Sequence, residues 1–445
     1  MSHTPSAAEA RLPTEPIDRL VDPIARFLHI QAASGVVLLL FTLAPLVLAN
    51  SSWSGQFLAF WKTPLGFSIG SYEVNHSLKH WINDGLMVIF FFVVGLEVKR
   101  ELAVGELRSL RLAALPVAAA LGGMLAPATL YLALQWGEPG MRGWAIPMAT
   151  DIAFVVGCLA LLGERVPHSL RILLLSLAIV DDIGAILVIA IGYTDSLNLR
   201  AMGFGLAGIA VVMLMARLGV RSVLLYTVVG IGIWFAFHES GVHATIAGVI
   251  LGLLTPVRPW IDQNLLVRYT HRLGDFLHGD SAPEPDARHA LLRSMERAAR
   301  ETLSPLERIE ATLHPWVGFV VMPLFAFANA GVVIEPAAFR DAIALAVAAG
   351  LVIGKPVGIV LLSWLAVRLG LAALPAGVGW GALAAGGVLA GIGFTMALFI
   401  AGLAFEGTQL DAAKIGVLAA SALCATAGML MLLWLLPKPP PEPAG

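Results

Sequence analysis

Asp181 and Asp182 stand side by side in Ala178-Ile179-Val180-Asp181-Asp182-Ile183-Gly184-Ala185, inside an apolar run from about residue 172 to 193. At about 1.5 Å of rise per helical residue the two acids lie roughly 15 Å from either end of that run, the middle of a bilayer. An ionised aspartate at that depth costs at least about 2.5–3.5 kcal/mol, so acids placed there serve ion pathways or proton relays rather than stability. Carboxylate oxygens suit a hard cation, and two interacting acids titrate as a pair. The chemistry they allow is a shared site that gives up protons as it takes up a cation. Successive helical residues point about 100° apart, so one acid faces a water-filled cavity and the other a neighbouring helix.

Two further charges belong to the same depth. Lys355 lies 14 residues from Asp341 and 13 from Arg368, too far from either interface to snorkel, so it must meet a negative group, lose its proton or line water. Asp151 follows Pro147 and Thr150 in Ile146-Pro147-Met148-Ala149-Thr150-Asp151, where proline removes an amide donor and favours an unwound stretch. Gly386, Gly387, Gly391 and Gly393 weaken a later span in the same way. Paired interrupted spans mark the substrate site of inverted-repeat transporters. The fourth and eleventh spans correspond if spans three to five repeat as ten to twelve. Asp151 would then offset positive helix ends and Lys355 negative ones.

These residues need a membrane scaffold, and the composition provides one. Of 445 residues 58% are hydrophobic and 13% charged, half the charge of a soluble chain, which predicts an all-α polytopic membrane protein. The net charge of −2 argues against a nucleic-acid partner. Cys158 and Cys424 lie in apolar runs and suggest neither a disulfide nor a resident metal, and no cofactor is expected. Residues 1–26 read as a cytoplasmic tail without a cleavable signal, residues 27–436 as a single transmembrane domain and 437–445 as a second cytoplasmic tail.

Apolar windows predict twelve spans, at about 31–50, 80–98, 112–135, 144–163, 170–193, 201–216, 222–238, 242–256, 312–334, 341–367, 380–404 and 412–436. With both termini in the cytoplasm, 21 of the 27 Lys and Arg residues other than Lys355 fall on the inner side and six on the outer. Residues 57–76 read as an extracytoplasmic β-hairpin or an irregular loop. The long cytoplasmic stretch 257–311 contains an amphipathic helix around Asp286-Ala287-Arg288-His289. Other charges have plainer readings. Asp84 sits at the outer end of its span, where solvation suffices; Glu97, Arg100 and Glu101 form a cytoplasmic salt-bridge group; His243 suits either pH sensing or a structural hydrogen bond.

The strings Trp81-Ile82-Asn83-Asp84-Gly85-Leu86-Met87, Val94-Gly95-Leu96-Glu97-Val98-Lys99-Arg100-Glu101, Ala149-Thr150-Asp151-Ile152 and Ala178 to Ala185 resemble those of the bacterial NhaA-type sodium/proton antiporters. So do Gly241-Val242-His243-Ala244-Thr245, Leu313-His314-Pro315-Trp316, Pro323 to Gly331, Gly354-Lys355-Pro356 and Gly391-Ile392-Gly393-Phe394-Thr395-Met396. They occur in order from about residue 25 to 435. The resemblance implies that Asp181 and Asp182 hold the transported sodium or lithium ion and the protons, and that Thr150 and Asp151 belong to a broken fourth helix. It implies that Lys355 compensates a helix crossing or pairs with Asp181. It further implies that Glu97, Arg100, Glu101 and Glu310 match a cytoplasmic cluster linked to pH activation, and that the 57–76 hairpin serves a homodimer in the lipid of a bacterial inner membrane. Met148 departs from the threonine often found there, and the 259–310 connection is much longer than usual.

The expectation is therefore a non-enzymatic, electrogenic sodium/proton antiporter. A cation-coupled solute symporter, a passive cation channel and an intramembrane aspartyl protease are the alternatives; the protease would need its two acids on different helices. Asp182→Asn is expected to abolish sodium-driven proton movement in membrane vesicles, and retention of that movement would remove Asp182 from the site.

Overall fold

The computed structural model describes residues 31–69, 72–194, 197–220, 222–259, 267–268 and 285–436; both expected tails and part of the 257–311 connection lie outside them. Among the described residues eight helices are long and apolar enough to cross a membrane, or up to 11 if each bent pair is one span. In lipid every backbone amide and carbonyl must be satisfied within the protein, which is why the apolar runs become helices.

In chain order the elements are α1 (Gln31–Ala49), α2 (Ser54–Lys62), β1 (Pro64–Ile69), β2 (Tyr72–Ser77), α3 (Leu78–Ala103), α4 (Leu110–Leu134), two 3-10 turns within Pro139–Met148, and α5 (Ile152–Leu161). There follow α6 (His168–Gly192), α7 (Leu199–Arg217), α8 (Val223–Ser240), α9 (Thr245–Leu254), α10 (Pro285–Thr302), α11 (Pro305–Asn329), α12 (Ala342–Arg368), α13 (Trp380–Ala390), α14 (Phe394–Ala404) and α15 (Gly407–Leu435). Helix starts follow local chemistry: the Asn198, Ser222, Ser304 and Asp341 side chains accept from backbone N–H groups two or three residues on, which satisfies donors that a first turn leaves orphaned.

The antiparallel strands β1 and β2 pair from Pro64↔Ser77 to Ile69↔Tyr72. The paired region begins later than residue 57, because Ser54–Lys62 is helical and its Phe57 and Trp61 rings pack on Phe327. The ninth expected span likewise starts earlier, at Pro305, where Ser304 and Glu307 form a capping box. Lys414, one of the six charges assigned above to the outer side, lies buried inside α15 and donates to the Gly331 carbonyl at 3.3 Å.

Close backbone approach sets the geometry around Lys355. α12 packs along α4 with Gly122 facing Gly358, where a Cβ on either glycine would stand 2.0 Å from the other's carbonyl oxygen. One turn before Lys355 the helix widens into a π segment, Gly350–Gly354. A Cβ on Gly350 would strike Pro147 at 2.6 Å, and one on Gly354 would strike Pro127 at 2.7 Å. Gly350 thus brings α12 against the interrupted fourth span, and Gly354 against α4.

The later span breaks within the glycine cluster, at only part of it. Gly386 and Gly387 stay within α13 and pack on Leu174 and Ile359, while the interruption is confined to Gly391–Gly393. None of the four has positive φ. Gly391 is needed for room instead, since a Cβ there would meet the Leu351 carbonyl at 2.6 Å.

Gly358→Val is expected to cost about 1–3 kcal/mol or more, because the clash is with backbone that has no rotamer to yield. Thermal unfolding in detergent should show a midpoint lowered by several degrees, whereas Gly402→Val, with open space around its Cβ, should leave it nearly unchanged.

Candidate functional site

Two bent spans cross at the centre of the site. The Pro139–Met148 turns and α5 meet at 44°, and α13 and α14 at 46°. The extended linker of the first is bonded to the linker of the second: the Asp151 N–H donates to the Ile392 carbonyl at 2.7 Å. The Asp151 carboxylate then caps two helices at once. Its Oδ1 accepts from the Phe154 N–H at 3.1 Å, at the start of α5, and its Oδ2 accepts from the Thr395 N–H at 3.0 Å and from the Thr395 hydroxyl, at the start of α14. Both are N-termini, where the helix dipole and unsatisfied amides favour an anion. The Phe394 N–H donates to Ser421 Oγ of α15 at 3.2 Å.

On α6, Asp181 and Asp182 are both buried, each 1% exposed. Asp181 Oδ2 lies 2.7 Å from Lys355 Nζ and 2.7 Å from Thr150 Oγ1. The ammonium of Lys355, itself fully buried, also donates to the Met148 carbonyl at the end of a 3-10 turn. Thr150 Oγ1 is 3.0 Å from the Ala390 carbonyl, the last residue of α13. The 100° stagger expected of neighbours separates the two acids: Asp181 turns to the crossing. Both carboxyl oxygens of Asp182, and Oδ1 of Asp181, are buried and make no hydrogen bond with a protein group. Three unpaired oxygens in a dry interior are costly unless protons or a cation meet them.

The other expected residues are distributed more widely. Arg100 forms an ion pair with Glu310, joining α3 to α11, while Glu101 Oε2 accepts from the Glu106 N–H at 3.0 Å in the turn after α3. Glu97 lies one turn earlier on α3. His243 stands apart from this group, at the α8–α9 turn, with Nδ1 3.0 Å from Thr245 Oγ1 and its ring edge-on to Phe399. Asp84, for which solvation was the plain reading, is mostly covered and faces His80 and His238. Sequence reasoning missed Thr395 as a ligand of Asp151 and the Met148 carbonyl as a ligand of Lys355. For Thr395 a signal existed, a hydroxyl residue two positions after a glycine break; a main-chain carbonyl gives none. Because Met148 contributes its carbonyl oxygen, a group every residue has, its departure from threonine leaves that contact intact.

The family described as Na+/H+ antiporter 1 matches residues 25–432. This chain belongs to that family. It is similar to a protein of Rhodopirellula baltica named Na(+)/H(+) antiporter NhaA, 58% identical over 96% of this chain and 97% of that protein's length. Another of the same name, from Rhizobium meliloti, is 55% identical over 97% and 98%. A third, Na(+)/H(+) antiporter NhaA 2 of Acidiphilium cryptum, is 52% identical over 97% and 96%. The Na+/H+ antiporter 1 match takes in both bent spans, the aspartate pair and Lys355.

Removing one partner of a buried ion pair leaves the other charge uncompensated, at a cost of about 3–5 kcal/mol. Lys355→Ala should therefore lower the unfolding midpoint in detergent markedly. The double variant Lys355→Ala with Asp181→Ala should recover part of the loss, and strictly additive losses would argue against an energetic coupling between them.

Proposed function

We propose that this chain is a secondary transporter that exchanges cytoplasmic sodium, and lithium, for external protons by alternating access, with Asp181 and Asp182 as the shared cation and proton site. The observation that carries this reading is the set of three buried, unpaired carboxyl oxygens on Asp181 and Asp182 beside the crossing of two bent spans. Membership of a family whose relatives are named Na(+)/H(+) antiporters supports it.

In this reading Asp182 is the primary cation ligand. Asp181 moves between the cation and Lys355, and Thr150 supports the ionised form. Charge bookkeeping then gives the coupling. With Lys355 charged throughout, one sodium on two ionised acids brings the site to zero, while two protons bring it to plus one. Each cycle therefore exchanges about two protons for one cation and moves one net charge, so it responds to membrane potential. Asp151 compensates the two facing helix N-termini and Lys355 the opposite ends, which lets the crossing exist in lipid.

The same reading takes twelve spans, with α1, α9 and the two bent spans joining the eight long helices, and spans three to five repeated inverted as ten to twelve. Both termini lie in the cytoplasm of a bacterium and the protein sits in its inner membrane. The β1–β2 hairpin is then extracytoplasmic and joins two copies into a homodimer, while Glu97, Arg100, Glu101, Glu310 and His243 contribute to pH control. The aspartyl protease alternative fares poorly because both acids sit on α6. The solute symporter shares much of this architecture, and it is separated by the need for an organic substrate.

Purified protein in proteoliposomes should acidify or alkalinise the lumen when a sodium gradient alone is imposed. An imposed potential of the sign that drives the protons should speed the exchange. Proton movement that requires an added organic solute would favour the symporter, and sodium flux without proton flux would favour a channel.

A further inference from the structure

Three histidines from three elements meet where the hairpin joins α3: His76 on β2, His80 in the first turn of α3 and His238 in the last turn of α8. The rings of His76 and His80 stack with centroids 4.1 Å apart, and His238 stands 5.5 Å and 5.8 Å from them. One nitrogen from each ring lies within 4.8 Å of the others. Asp84, one turn beyond His80, places a single oxygen, Oδ2, 3.5 Å from His80 Nε2 and 3.8 Å from His238 Nδ1. None of these pairs is a hydrogen bond, and His80 Nε2 is buried without one. Trp81, Trp234 and Phe235 wall a cavity of about 20 Å³, room for one small ion and too little for an organic ligand.

This is an unusual way to leave three imidazoles and a carboxylate. If the group served structure alone, direct hydrogen bonds would satisfy it. If all three rings were protonated, they would repel at stacking distance. Neutral imidazole is the form that binds metal. Zinc takes histidine nitrogen at about 2.0–2.1 Å, so tetrahedral ligand atoms sit about 3.4 Å apart. The observed separations close to that with ring rotations and a shift on the order of 1 Å.

We infer that His76, His80, His238 and Asp84 form a binding site for one divalent transition-metal ion of the zinc class. Three imidazoles and a carboxylate suit such an ion better than magnesium or calcium, which prefer oxygen. The ion would tie the hairpin, α3 and α8 together at one end of the bundle. The site shares no residue with Asp181, Asp182 or Lys355, and it does not depend on the transport reading.

The test uses the full chain, purified without an oligohistidine tag and treated with chelator, then titrated calorimetrically with zinc chloride at neutral pH. One zinc per chain should bind with micromolar or tighter affinity, and the unfolding midpoint should rise with zinc. Cobalt chloride should give the visible absorption of a tetrahedral nitrogen and oxygen site. His76→Asn and His238→Asn should each weaken binding by at least about tenfold. His76 lies outside the spans, so its replacement leaves the bundle intact. Binding no tighter than millimolar, or affinity unchanged in both variants, would overturn the site. So would an equal loss in His168→Asn, which lies outside the cluster.

Discussion

Backbone groups inside a bilayer have no water to turn to, and the site depends on how that constraint is met where two spans stop being helices. Each interruption exposes helix ends that would be prohibitive in lipid if left alone. Here each break supplies partners to the other. The Asp151 amide donates to the Ile392 carbonyl, the Asp151 carboxylate closes the starts of α5 and α14, and Lys355 donates to the Met148 carbonyl. The acids on α6 stand beside a surface whose polar groups are already largely occupied with one another. Asp181 is drawn into that network through Lys355 and Thr150, and Asp182 is left out of it.

That difference turns an adjacent pair into two unlike groups. Stagger along a helix separates their directions, but it is the partners that separate their chemistry: an ammonium and a hydroxyl on Asp181, and no hydrogen-bonding protein group on Asp182. Glycines without positive φ make the arrangement possible by removing side chains. Gly122, Gly358, Gly350 and Gly354 let α12 approach α4 and the interrupted span so closely that Lys355 reaches its carbonyl.

Much of this could be read in the sequence because lipid penalises polar atoms so heavily. Asp151, Asp181, Asp182 and Lys355 stood out from their apolar surroundings, and Pro147 with the later glycines marked where helices would give way. What could not be read were contacts between distant parts of the chain. His76, His80 and His238 form no spacing motif, since one of them lies more than 150 positions away in the sequence. From sequence alone Asp84 therefore reads as an ordinary solvated acid. Within the glycine cluster composition gives four candidates for a break, and packing against Leu174 and Ile359 accompanies the two, Gly386 and Gly387, that stay helical. The burial of Lys414 against the Gly331 carbonyl is another such contact between distant parts of the chain.

The Thr150 hydroxyl lies within bonding distance of both Asp181 Oδ2 and the Ala390 carbonyl, yet it carries a single hydrogen. The two oxygens compete for it. While Asp181 is negative its claim is the stronger, since bonds to charged acceptors are about twice as strong as neutral ones. Once Asp181 is neutralised that advantage is gone, and the hydrogen is free to turn to Ala390, the last residue before the later span breaks. Under the proposed exchange Thr150 would be a change-over contact, carrying the charge state of one acid, without any displacement of a helix, to the break in the span that crosses it.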